Sequence, residues 1–122
     1  MFKRLVCGVF LAGALYTPPA QAGIYISGTD LFADCSVPKD NPVYFSRTER
    51  CTGFIAGVVD ATEGVRALGG KPYCVPGDVT LGQLTQIVQT YLQNNPANRT
   101  LAASASVIAA IGDTYSCPGL VG

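Results

Sequence analysis

The amino-acid sequence predicts an all-α domain, a small bundle of about four helices stapled by two disulfides. Three observations carry this. Apolar residues recur at three- and four-residue steps over segments of helical length. Ser/Thr-x-x-Glu/Gln signatures open two of these segments, and glycine, proline or asparagine closes them. Cys35, Cys51, Cys74 and Cys117 all lie at or near a predicted helix end, while the fifth cysteine, Cys7, belongs to an N-terminal leader.

Residues 1–22 read as a signal peptide. Lys3 and Arg4 form the basic start, Leu5 to Leu15 the apolar stretch, and Ala20-Gln21-Ala22 the small-x-small cleavage site. The apolar run stops at Thr17-Pro18-Pro19, short of the roughly 20 residues that span a bilayer. The sequence therefore predicts export through a cleaved leader, with no stable membrane anchor. Residues 23–122 are left as a single domain. Lys3 and Arg4 leave with the leader, so six basic residues face eight acidic ones, a net charge of −2. That balance provides no electrostatic footprint for nucleic acid.

The first helix is predicted at Thr29 to Cys35, with Thr29 or Ser27 as N-cap, ending before Ser36-Val37-Pro38. The second opens on a capping box, Ser46-Arg47-Thr48-Glu49. It buries Cys51, Phe54, Ile55, Val58, Val59, Thr62 and Val65, and ends at Gly64 or at Gly69-Gly70. Gly53 and Gly57 on this helix allow close approach of a neighbouring helix. Asp60 reads as a polar-face residue more readily than as a buried acid.

Lys71 to Asp78 is a loop. The third helix starts at the box Thr80-Leu81-Gly82-Gln83, buries Leu81, Leu84, Ile87, Val88, Tyr91 and Leu92 beneath a glutamine-rich outer face, and closes at Asn94-Asn95-Pro96. The fourth runs from Thr100, as a capping residue, to Tyr115, with Leu101, Ala105, Ile108 and Ile111 inward. Gly23 to Ile26 forms at most a short extended arm.

Four cysteines in an oxidising compartment allow three connectivities. Antiparallel neighbours would bring the end of helix one to the start of helix two, and the start of helix three to the end of helix four. This geometry favours Cys35–Cys51 and Cys74–Cys117. Separations of 16, 23 and 43 positions do not suit the close cysteine pairs of structural zinc sites. No metal or cofactor is expected. The chain also has no histidine, so neither a Ser-His-Asp nor a Cys-His arrangement can be built. The sequence points to a binding protein, not an enzyme.

Two segments carry a resemblance. One is Cys51-Thr52-Gly53-Phe54-Ile55-Ala56-Gly57-Val58-Val59-Asp60-Ala61. The other is Tyr73-Cys74-Val75-Pro76-Gly77-Asp78-Val79-Thr80-Leu81-Gly82-Gln83-Leu84, followed by Val88, Tyr91-Leu92 and Pro96. Together, from Leu31 to Cys117, they resemble the Rap/Tai family of immunity proteins against type VI secretion amidase effectors. The resemblance implies a periplasmic, disulfide-bonded helical protein, able to form a homodimer. Its partner would be a cognate peptidoglycan amidase toxin, blocked sterically by a loop or helix edge that fills its substrate groove. Tyr115-Ser116-Cys117 stands where the family ends Phe-Pro-Cys, and no histidine accompanies Arg99.

Under this reading the contact surface is exposed and polar. The turn carrying Asn94, Asn95, Asn98 and Arg99 is the first candidate, with Pro96 limiting the entropy lost on docking. The loop Gly69 to Asp78, with Lys71 and Tyr73 taken as exposed, is the second. The alternative reading is a small periplasmic stress chaperone or general protein-binding module, which would hold clients on apolar surface.

Overall fold

The computed structural model describes residues 23–67 and 72–118, together with Gly13. The rest of the predicted leader, the Gly69-Gly70 stop and Lys71 lie outside the described residues. Among the described residues four α-helices and one short 3-10 helix follow in order: α1 Gly28–Cys35, α2 Tyr44–Ala67, α3 Leu81–Asn94, η1 Pro96–Thr100 and α4 Ala103–Thr114. Both predicted bridges are present, Cys35–Cys51 joining α1 to α2 and Cys74–Cys117 tying the loop before α3 to the end of α4. The helices surround one core built on Leu31, Ile55, Tyr73, Leu84, Val88, Leu92, Val107 and Ile111.

Helix α1 starts where Ser27 caps it. The Ser27 hydroxyl accepts from the Asp30 amide, and the Asp30 carboxylate accepts in turn from the Ser27 amide at 2.9 Å. The Ser27 hydroxyl, and after it the Ser27 amide, holds the Asp30 carboxyl below its usual range. The cap is therefore at full strength at neutral pH and weakens only as the pH falls through that lowered value. Helix α3 opens as predicted, with Thr80 and Gln83 reciprocally bonded.

Helix α2 departs from expectation at both ends. It begins at Tyr44, not at the Ser46 box. The Asn41 side chain accepts from the Val43 amide and the Asn41 carbonyl from the Tyr44 amide, so the Asn41-Pro42 turn has already started the helix. Ser46 is consequently internal, and its hydroxyl donates back to the Val43 carbonyl. At the other end the helix passes through Gly64 to Ala67. One glycine costs a helix only about 1 kcal/mol relative to alanine, too little to stop it.

The start of α4 is also corrected. Thr100 lies in η1, with its hydroxyl donating to the Ala97 carbonyl, and α4 begins at Ala103 without a side-chain cap. The N-terminal arm takes that role with its backbone. The Ile26 carbonyl accepts from the Ala103 amide and the Gly28 amide donates to the Leu101 carbonyl, each at 2.9 Å, around an antiparallel Ser27–Ala102 bridge. This fixes the rotation of α4, whose buried face is Ala103, Ser106, Val107, Ala110 and Ile111. Leu101 and Ala105 point to solvent instead of inward. Leu81, the first residue of α3, is likewise exposed.

Two glycine readings separate cleanly. Gly53 and Gly57 do not admit a neighbouring helix, since a Cβ at either would meet nothing within 4 Å. The close approach is at Gly28, where a Cβ would lie 2.8 Å from the Arg99 Cα and 3.0 Å from its carbonyl oxygen. Gly28→Ala should cost about 1–3 kcal/mol, whereas Gly53→Ala should gain up to about 1 kcal/mol; urea unfolding of the two variants reads both. Loop length sets the value of the bridges. Paired serine replacement should cost about 3 kcal/mol at Cys35 and Cys51 and about 4 kcal/mol at Cys74 and Cys117, measured the same way.

Candidate functional site

The turn from α3 into α4 is an ordered corner. Helix α3 ends at Asn94, and the Asn95 amide groups, backbone and side chain, both donate to the Tyr91 carbonyl. Pro96 then opens η1. The Asn98 side-chain amide donates to the Tyr91 hydroxyl at 2.9 Å, and its carbonyl accepts from the Leu101 amide and the Ser106 hydroxyl.

Arg99 locks the corner from below. Its Nε donates to the Leu92 carbonyl at 2.7 Å and a terminal nitrogen to the Gln93 carbonyl at 3.2 Å, two of the orphan acceptors at the end of α3. The guanidinium lies 3.9 Å from the centre of the Phe32 ring, a cation–π contact with α1. The Thr29 hydroxyl donates to the Arg99 carbonyl. Arg99 therefore commits its Nε and one terminal nitrogen to the end of α3, and its place is that of a positioning residue.

What the corner presents outward is Asn94, Pro96, Ala97 and Thr100, all exposed. Asn94 and Asn95 also line a groove of about 390 Å³ between α3 and α4, together with Gln86, Thr90, Tyr91 and, from α4, Asp113 and Thr114. Gln86, Thr90 and Asn94 follow one another at four-residue steps, so one exposed face of α3 carries an amide, a hydroxyl and an amide in a row. Asp113 and Thr114 stand opposite. The arrangement offers hydrogen-bond donors and acceptors on a fixed backbone.

The second predicted surface separates from the first. Tyr73 is only 2% exposed, contrary to the sequence reading, and its hydroxyl has no hydrogen-bond partner among the described residues. The Cys74 amide donates to the Tyr115 carbonyl at 2.8 Å, and the Cys74–Cys117 bridge draws the same loop inward, which buries the neighbouring tyrosine. Tyr73 thus packs in the core and cannot itself touch a partner. The corner leads into the start of α4, whereas the Cys74 loop is tied to the segment that follows its end.

Sequence reading missed Gln86, Thr90 and Asp113 as groove residues. The four-residue spacing with Asn94 carries that signal. It also missed Asp34, a buried carboxylate of α1 that accepts from Arg47 at 2.6 Å and pairs with Arg50 at 3.3 Å. No local pattern marks Asp34, because its partners come from another helix. Asp60 is exposed, as its polar-face reading expects. Among the described residues no group of three or more histidine, cysteine or carboxylate side chains is placed to hold a metal ion. No helix there is long and apolar enough to cross a membrane.

Position and role predict different mutational costs. Arg99→Ala removes charge-assisted bonds to α3 and the contact with Phe32, and should cost about 2–3 kcal/mol. Asn94→Ala should change stability by no more than about 0.5 kcal/mol. Chemical denaturation of both variants tests the division between holding the corner and displaying it.

The chain belongs to the Rap1a immunity protein family, whose model matches residues 27–117. No curated protein matches it. Membership implies binding to a cognate effector protein.

Proposed function

We propose that this protein is a periplasmic immunity protein that binds a peptidoglycan amidase delivered by a type VI secretion system and blocks its substrate groove. The reading includes removal of the leader after Ala22, formation of both bridges in the periplasm, and steric inhibition without chemistry by the inhibitor. The contact surface is the corner Asn94 to Thr100 with the adjoining α3 stripe of Gln86 and Thr90. Lys71 remains a proposed secondary contact.

One observation carries the choice of surface. The corner and the adjoining α3 stripe expose the Asn94 and Gln86 amides and the Thr100 and Thr90 hydroxyls over a backbone that Arg99, Asn98 and Asn95 already hold in place. A segment ordered before binding loses little conformational entropy on docking, so more of its contact energy appears as affinity. Fixed amides also suit a polar groove, where each donor must meet an acceptor or cost binding.

The test is inhibition of a cysteine–histidine peptidoglycan amidase of the producing cell by the oxidised protein. Stoichiometric inhibition is expected, weakened at least about tenfold by Asn94→Arg combined with Ala97→Arg, a loss of about 1.4 kcal/mol. Inhibition that ignores both substitutions would remove the corner from the interface. Absence of any inhibition would remove the amidase.

The chaperone reading draws on different surface, the exposed Ile24, Tyr25 and Val65. It predicts weak binding of many unfolded clients in place of one partner.

A further inference from the structure

Asp113 is the only charged side chain lining the groove between α3 and α4, and the fold supplies no reason for it. It stands in the last turn of α4, which ends at Thr114 without a basic residue. The carbonyl end of a helix favours a cation, so a carboxylate there costs stability. At the end of α3 the same demand is met by Arg99, which donates to the Leu92 and Gln93 carbonyls. The end of α4 has no such cation and carries the opposite sign. A choice that works against the local fold is expected where it serves binding.

Nothing in the described residues answers this charge. Asp113 is exposed, and the ion pairs present there are those of Asp34 with Arg47 and Arg50. Across α3, η1 and α4 the only other charged residue is Arg99, whose guanidinium lies over the Phe32 ring. The groove therefore presents one uncompensated negative charge among uncharged amides and hydroxyls.

We infer that this groove receives an arginine side chain of the effector, with Asp113 as the charge partner of the guanidinium. The inference deepens the reading of the corner and the α3 stripe as the contact surface, and rests on it. The two walls favour a guanidinium over an ammonium. Asp113 offers its carboxylate from α4, while Gln86, Thr90 and Asn94 offer uncharged acceptors from α3. A planar fork of donors can bond both walls at once, whereas an ammonium is a compact, strongly hydrated point charge. Charge-assisted bonds of this kind are roughly twice as strong as neutral ones.

The rest of the lining suits the stem. Ile87, Ala110 and the Tyr91 ring provide apolar surface along which methylene groups can lie. The site is also held before any ligand enters. The Tyr91 hydroxyl already accepts from Asn98, and the Asn95 side chain donates to the Tyr91 carbonyl. At about 390 Å³ the groove is at the small end of ligand sites, which run from about 300 to 1,000 Å³, and so fits a side chain better than a helix.

Proton–nitrogen NMR of the oxidised protein, titrated with N-acetyl-arginine methylamide, tests the inference without an amidase. Saturable shifts are expected at the side-chain amides of Gln86 and Asn94 and at the backbone amides of Thr90 and Asp113. The norleucine counterpart should leave these signals unmoved, and the lysine counterpart should bind at least about threefold more weakly. Asp113→Asn should weaken the arginine probe at least about fivefold, with circular dichroism showing the variant folded. No shift at the groove, equal binding of lysine, or an affinity indifferent to Asp113→Asn would overturn the proposal. Against an amidase that the protein inhibits, Asp113→Arg should weaken inhibition about a hundredfold or more, since like charges then meet. Inhibition that survives Asp113→Arg but not the paired Asn94→Arg and Ala97→Arg change would overturn the arginine site and leave the corner as the contact surface. A groove that binds the arginine probe while no amidase is inhibited would support the site and remove the amidase.

Discussion

The rest of the molecule depends on how closely α1 can lie against η1. Gly28 permits the approach, and once α1 is there Thr29 and Phe32 fall against Arg99. Arg99 then closes the end of α3, while the arm before Gly28 closes the start of α4. One eight-residue helix thus joins both helices that flank the corner. So short a helix has little stability of its own. Its hold comes from outside: the Ser27–Asp30 box at one end, and at the other Asp34 between two arginines beside the Cys35–Cys51 bridge.

The two bridges divide the work. Cys35–Cys51 fastens α1 to the first half of α2, and Cys74–Cys117 fastens the loop before α3 to the end of α4. A domain of this size has a modest core, and total stability of only about 5–15 kcal/mol is usual. Cross-links that restrict the unfolded chain are then a large share of the whole. They also free surface. With the interior secured, α2 can leave a glycine-containing face unpacked and the α3–η1 corner can carry polar side chains outward. Rigid backbone beneath exposed amides is what a specific protein contact asks of its scaffold.

Much of this was legible in the sequence, wherever the cause was local. Thr80 with Gln83 opened α3 as its spacing required, and the cysteine positions at helix ends implied the pairing that forms. The errors arose where a distant segment decided the outcome. Ser46 with Glu49 is a valid box in isolation, but Asn41 and Pro42 start the helix earlier. Thr100 is a reasonable N-cap until Ile26, more than seventy residues away, supplies a carbonyl to Ala103. Leu101 looked internal because periodicity gives the spacing of a buried face and not its phase. Tyr73 looked like a loop residue, and the neighbouring bridge buries it. At the candidate site, the sequence located the asparagine turn. It could not tell that Asn94 faces outward while Arg99 is committed to α3 and Phe32, since composition is the same in either case.

Docking through the corner requires it to be ordered before any partner arrives. Native-state hydrogen exchange on the free, oxidised protein measures this directly at the amides of Asn98, Leu101 and Ala103. If α1, η1 and the start of α4 form one unit, these amides exchange as slowly as those of the core residues Val88 and Ile111, through the same global opening. Exchange at the rate of an open loop, with the core still protected, would show a corner that α1 does not hold, and would contradict the account.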